Sequence, residues 1–307
     1  MTAPSGDPVR IRVPATSANL GPAFDSAGLA LGCHDVLEFR AADAGLEVAM
    51  SGEGATTLPT GAGHLVVRAF RAACDELGWR PAGLRLVAEN SIPQGRGMGS
   101  SAAAVVAGIV GAWALCPDVQ GIDRDAVLRL ATELEGHPDN VAACLLGGAT
   151  LSWMAADGAR AARLDVHPDI RPVVLVPADT LSTHVARGLL PDVVPHADAA
   201  HNAACAALLV HALTADPALL FAATDDRLHQ RQRAAAMPET IALIDRLRDA
   251  GHAAVVSGAG PSVLVLTAGD GAREIGALTP DGWNLHALEV DPDGAGVVGG
   301  APQVSSR

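Results

Sequence analysis

Apolar and polar positions change their period several times along the chain, and each change marks an element. Val9–Val13 alternates apolar with basic residues and predicts a strand, as do Val36–Phe39 and Leu46–Met50, which the turn around Asp43–Gly45 divides. From Leu65 to Leu77 the period lengthens: Leu65, Ala69, Ala72, Ala73 and Leu77 share one face of a helix that Gly78 closes. A strand over Leu84–Ala88, a small-residue helix over Ser101–Leu115 and a helix over Asp125–Leu134 follow. Strand patterns at Ala149–Met154 and Val173–Pro177 flank a turn-rich stretch, Ala155–Pro172, where a domain boundary is expected. Helical patterns then cover Asp198–Leu213, Asp216–Arg233 and Pro238–Ala250, and strands cover Ala253–Ser257 and Val263–Thr267. The Gly-rich tail after Asp291 is expected to fray. Strands and helices interleaved in this way predict an α/β or α+β protein.

Composition narrows the picture. A chain of 307 residues holds two ordinary domains or one large one, and with 49% apolar residues it lies far from disorder. The net charge of −13 argues against nonspecific affinity for nucleic acid or anionic membranes, so an anionic ligand needs local attraction. Cys33, Cys74, Cys116, Cys144 and Cys205 are scattered without a C-x-x-C pair, which suits a reducing compartment better than disulfides or a zinc site. Met1–Pro8 is polar and lacks the layout of a signal peptide, and no apolar run reaches membrane-spanning length; a soluble cytosolic protein is the expectation. Lysine is absent altogether, which excludes Schiff-base chemistry and the Gly-Lys-Ser/Thr nucleotide loop.

The stretch with the most chemistry is residues 93–104, Pro-Gln-Gly-Arg-Gly-Met-Gly-Ser-Ser-Ala-Ala-Ala. Glycines at alternate positions let backbone amides crowd around a ligand. Ser100 and Ser101 stand where a helix begins, and a helix start gathers unpaired N–H groups and partial positive charge. Loop and helix together form a phosphate cradle, or else a glycine-rich turn with a serine cap. Spacing rules out the dinucleotide pattern G-x-G-x-x-G.

Four segments, in order, resemble the GHMP kinase family of small-molecule kinases. They are Val13-Pro-Ala-Thr-Ser-Ala-Asn-Leu-Gly-Pro-Ala-Phe-Asp25, the cradle, Glu133-Leu-Glu-Gly-His-Pro-Asp-Asn140, and Val256-Ser-Gly-Ala-Gly-Pro-Ser262. With Leu228-His-Gln-Arg-Gln-Arg233, the first and third are most similar to the branch that acts on homoserine. The resemblance runs from Val9 to about Val290. It departs at Ala23, where glycine is usual, at Cys144, where proline is usual, and at Arg231-Gln232, where Pro-Tyr is common.

The resemblance implies an α+β fold of two domains, residues 1–155 binding ATP and residues 156–307 completing the cleft. The first would contain a left-handed β-α-β unit, and the second would be ferredoxin-like. It implies transfer of the γ-phosphoryl of ATP to the side-chain hydroxyl of L-homoserine, with Mg2+. Pro93, Gln94, Gly95, Arg96, Gly97, Met98, Gly99, Ser100, Ser101, Ala102 and Ala103 would surround the nucleotide, and Ser100 and Glu133 would hold the metal. Thr183, Arg187 and Arg233 would meet the acceptor's carboxylate, which suits the planar guanidinium fork. Asp25 and Asp139 would meet its ammonium, with Asn19 and His137 completing the pocket. Asn140 would orient the hydroxyl without a strong base, because a loose transition state needs little early deprotonation, unless neighbouring Asp139 takes the proton. Threonine or mevalonate as acceptor, and a nucleotide-binding regulator without catalysis, are the rival readings. The oligomeric state stays open, a homodimer included.

Overall fold

Two sheets organise the chain. The computed structural model describes residues 7–299; the expectations for the extreme N-terminus and for the end of the tail fall partly outside these residues. The first half supplies β1 (Val9–Ala18), β2 (Ala27–Ala42), β3 (Gly45–Gly52), α1 (Leu65–Glu76), β4 (Gly83–Asn90), α2 (Ser100–Leu115), α3 (Arg124–Glu135), α4 (Asp139–Leu146), β5 (Ala149–Ala155) and β6 (Gly158–Leu164). The second half supplies β7 (Ile170–Pro177), α5 (Thr183–Arg187), α6 (His196–Thr214), α7 (Leu220–Ala223), α8 (Pro238–Asp249), β8 (Ala253–Val256), β9 (Val263–Ala268), α9 (Ala272–Leu278), β10 (Trp283–Ala287) and β11 (Gly296–Val298).

The first sheet runs β11-β1-β2-β4-β3, with β5 and then β6 attached to the far end of β2. β3 and β4 are parallel, so α1 is the crossover of a β-α-β unit, while the other pairs are antiparallel. α2 is buried along almost its whole length, from Ala102 to Trp113, which explains a sequence that is apolar on every side rather than along one stripe. Its small side chains let it lie against both α1 and β1.

The second sheet is antiparallel in the order β10-β7-β9-β8. Numbered within the sheet this is 4-1-3-2, the order of a ferredoxin-like β-α-β-β-α-β unit. β7, β8 and β9 are buried on both faces, while the edge strand β10 is partly exposed. Val173 and Leu175 of β7 pack with Leu243, Ile244 and Leu247 of α8 and Ile275 of α9. Val174 and Val176, turned the other way, join Leu209 and Leu213 of α6 in the larger core.

Several elements differ from expectation. β2 begins nine residues before the expected Val36, because β1 and β5 pair with its Gly-rich first half. The turn-rich stretch 155–172 contains β6, hairpinned onto β5, so the first sheet continues past residue 155. The helix expected over 216–233 is broken: α7 stops at Ala223, the Thr224 hydroxyl turns back to Leu220 O, and Asp226 captures the N–H groups of Leu228, His229 and Gln230. The tail after Asp291 is held as far as Val298, since β11 pairs with β1 and Asp291 accepts from the N–H groups of Asp293 and Gly294. Among the described residues no helix is long and apolar enough to cross a membrane.

Candidate functional site

β4 delivers the chain to the glycine loop, and tertiary bonds fix that loop from three sides. Met98 O accepts from Thr16 N of β1 at 3.0 Å, and Gly95 O from Leu181 N at 2.9 Å. Gly97 O accepts from the Ser257 hydroxyl at 2.6 Å. Gly97 and Gly99 both have positive φ, 72° and 69°. A Cβ on Gly97 would stand 2.1 Å from Ser257 O, and one on Gly99 would stand 1.8 Å from Thr16 Oγ1. The loop therefore touches its supports at distances only glycine allows.

Gly99 caps α2 with no side-chain hydrogen bond, so the first N–H groups of the helix are left for a ligand. They open onto a cavity of about 490 Å3 between the two sheets. Of the residues expected around a nucleotide, Gln94, Gly95, Gly97, Met98, Gly99, Ser100, Ser101 and Ala102 line it. Pro93, Arg96 and Ala103 do not. Pro93 is buried behind the loop and Ala103 faces the core. Arg96 is turned towards the end of β7, where it donates to Pro177 O at 3.0 Å and Ala178 O at 2.8 Å, so it ties the loop to the second sheet.

Glu133, expected as a metal ligand, is exposed on α3 and does not line the cavity. Gly136, with φ of 88°, ends the helix just after Glu135, and Glu135 lines the cavity instead. It accepts a hydrogen bond from the Ser101 hydroxyl, and burial pushes its carboxyl above the usual range. A carboxylate with the hydroxyls of Ser100 and Ser101 beside it is a set of hard oxygen donors, suited to Mg2+ that retains several waters. The residues present fit that ion.

At the other end the N-terminus of α4 presents Asp139 and Asn140. Asp139 is 2% exposed; its Oδ1 lies 2.7 Å from His137 Nδ1 and accepts from Asn140 N at 2.7 Å. That hydrogen bond, more than burial opposes it, raises the His137 pKa. The Thr16 hydroxyl donates to Asn140 Oδ1 at 2.8 Å, while the Asn140 amide nitrogen donates to Asp139 Oδ1 at 3.4 Å; both Asp139 and Asn140 line the cavity.

Asn19 and Asp25 both have positive φ, 71° and 55°, in the turn after β1. Asn19 lines the cavity, its Oδ1 accepting from Asp25 N and its Nδ2 donating to Gly258 O. Asp25 does not open directly onto the cavity. Arg187, which does, holds it. Thr183 and Arg233 also line it. Arg233 is 1% exposed, yet among the described residues its guanidinium makes one hydrogen bond, to Gly258 O at 3.3 Å, its Nε has no partner, and no carboxylate pairs with it within 4 Å. Burial, then the neighbouring Arg187 charge, lower its pKa.

Three departures from the family pattern prove local. Arg231 points away and pairs with exposed Asp245. Ala23 keeps an ordinary backbone, its N–H donating to Asn19 O. Cys144 is buried in α4, where its carbonyl accepts from Ala295 N.

Besides Glu135, sequence reasoning missed the far wall, formed by Leu58, Pro59, His64 and Leu65. His64 is 4% exposed, with Nε2 beside Met50 Sδ and, among the described residues, Nδ1 without a partner; burial lowers its pKa. Gly258, Ala259 and Gly260 also line the cavity, so the Ser-Gly-Ala-Gly-Pro-Ser loop is a wall of the site and not only a mark of resemblance.

The chain is similar to known proteins over nearly its whole length. Family models described as GHMP kinases N terminal domain and GHMP kinases C terminal match residues 64–148 and 206–278. The chain is 55% identical over 291 residues to a homoserine kinase of Streptomyces avermitilis, covering 94% of this chain and 95% of that protein. It is 56% identical to the homoserine kinase of Streptomyces coelicolor, covering 94% of each. Among solved structures, a homoserine kinase from Cytophaga hutchinsonii matches with a TM-score of 0.85 at 26% identity, covering 97% of this chain and 99% of that one.

Proposed function

The chain belongs to the GHMP kinase family, and we propose that it transfers the γ-phosphoryl group of ATP to the side-chain hydroxyl of L-homoserine, giving O-phospho-L-homoserine and ADP. The observation that carries the acceptor class is Arg233, a buried cation open to the cavity with no carboxylate of its own. A buried guanidinium is costly unless an anion meets it, and a substrate carboxylate satisfies two of its donors at once.

The glycine loop and the start of α2 hold the phosphates through backbone N–H groups and the helix dipole, which replaces the missing lysine. Ser100 and Glu135 would hold Mg2+, which would neutralise phosphate charge when bound. The apolar wall of Leu58, Pro59 and Leu65 receives the base, beside the unpartnered Nδ1 of His64.

Arg233 and Arg187 meet the carboxylate, assisted by Thr183. The ammonium meets Asp139, whose Oδ1 is taken by His137 and Asn140, and whose Oδ2 has no partner among the described residues. The Asn140 amide then donates to the acceptor hydroxyl and sets its line of approach. In the reaction the bond from that oxygen to the γ-phosphorus forms as the bond to the β-phosphate oxygen breaks. The proton leaves late, to phosphate or solvent, and needs no strong base.

An acceptor panel tests the reading. ADP release with Mg-ATP and homoserine, threonine, serine or mevalonate should show the highest kcat/KM for homoserine. A preference for mevalonate, which has a carboxylate and no ammonium, would overturn it.

A further inference from the structure

Phe24 lies beside the cavity without lining it, and three charged or aromatic groups gather around its ring. The guanidinium carbon of Arg233 is 5.3 Å from the ring centroid, and that of Arg187 is 5.5 Å. The His229 ring is 5.0 Å away, tilted by 34°. The two arginines repel one another, and Arg233 has little else to hold it: one long hydrogen bond and an unpartnered Nε. The negative face of an aromatic ring attracts both cations without supplying an acceptor that competes for their N–H groups.

His229 and the turn that carries Phe24 are both held in place. His229 is wholly buried, and its Nε2–H donates to Gly21 O at 2.7 Å. Its backbone N–H is held by Asp226, which also binds the N–H groups of Leu228 and Gln230. Phe24 itself belongs to the turn that Asn19 closes, where Asn19 O accepts from Ala23 N and Asn19 Oδ1 from Asp25 N. The ring thus joins a turn of the first half to the segment that carries Arg233.

We propose that Phe24 is a positioning residue for carboxylate recognition: braced by His229, its ring sets where Arg233 and Arg187 stand relative to one another. The proposal deepens the acceptor assignment above and rests on it. Nothing is asked of Phe24 in catalysis or in nucleotide binding.

Phe24→Leu should raise the KM for homoserine roughly 5- to 30-fold, the loss of a partly desolvated cation–π contact. Its kcat and its KM for ATP should stay within about twofold, and Phe24→Tyr, which keeps the ring, should restore the homoserine KM. Should the leucine variant fail to fold, Phe24→Met offers similar volume without an aromatic face and carries the same expectation. The second acceptor is 2-amino-1,4-butanediol, homoserine with its carboxylate reduced to an alcohol. Its KM should be the same in wild type and variant, because it offers the arginines no anion. Equal homoserine KM in wild type and variant would overturn the proposal alone, and so would parallel losses for both acceptors. A wild-type enzyme inactive on homoserine would instead overturn the acceptor assignment, and this proposal with it.

Discussion

Asp25 and Arg187 face one another across 162 residues of chain in a two-pronged ion pair, Nη1 to Oδ2 at 3.0 Å and Nη2 to Oδ1 at 2.6 Å. The pair joins the turn after β1 to α5, and its hydrogen bond raises the Arg187 pKa. Both carboxylate oxygens are engaged, so Asp25 orients an arginine as much as it offers negative charge to a substrate. Arg233 has no such partner and is the freer cation.

Loss of that freer cation should be felt in acceptor binding. Arg233→Ala is expected to raise the homoserine KM by about 10- to 100-fold, the range of a charge-assisted hydrogen bond. Arg233→Lys should recover little, because an ammonium cannot reproduce the planar fork. Initial rates at saturating ATP decide it; an unchanged homoserine KM in the alanine variant removes Arg233 from the acceptor site.

The ion pair makes a separate prediction. Asp25→Asn removes the charge that orients Arg187 while keeping the shape of the turn. Homoserine KM should rise several-fold and ATP KM should not move, since Asp25 neither lines the cavity nor bonds to the glycine loop. A matched rise in both constants would mean that the turn had collapsed.

The two glutamates near the end of α3 are separated by their geometry. Glu135→Gln should shift the Mg2+ titration of activity to higher concentration and lower turnover, because the hard carboxylate donor beside Ser100 and Ser101 is gone. Glu133→Gln, at an exposed position, should behave as wild type. Magnesium titration of both variants at fixed ATP is the measurement, and the reverse result would return the role to Glu133.

How much of this was legible beforehand depended on the range of the interaction. α1 and α2 were found within a residue or so of their ends, because their patterns are local and their stops are Gly or polar turns. The first half of β2 was missed, since Gly28, Gly32 and His34 break its alternation and only pairing with β1 and β5 makes it a strand. α4 was missed because Asp139 and Asn140 read as turn residues, although they are its first turn. Within the site, the glycine loop announced itself by spacing. Arg96 could not, since an arginine among glycines reads as a phosphate ligand until two distant carbonyls, Pro177 O and Ala178 O, are seen to claim it. Glu133 and Glu135 are two residues apart in one helical pattern, and only the turn at Gly136 decides which reaches the cavity. His64 was left unassigned, as one histidine among many, because its burial beside Met50 is a tertiary fact.

His137 offers a test that does not depend on the acceptor. Its Nδ1 lies 2.7 Å from Asp139 Oδ1, and this hydrogen bond lifts its pKa above the ordinary 6.5. The folded protein therefore holds the proton more tightly than the unfolded chain does. The resulting stabilisation is fully present below pH 6.5 and fades as pH rises through the folded-state value. Glutamine at this position keeps a polar side chain but cannot titrate. Urea unfolding midpoints of wild type and His137→Gln should accordingly differ most near pH 6, with the wild type more stable, and converge towards pH 9. A gap that stays constant over that range, or widens with pH, would show that the His137 proton is not stabilised by Asp139.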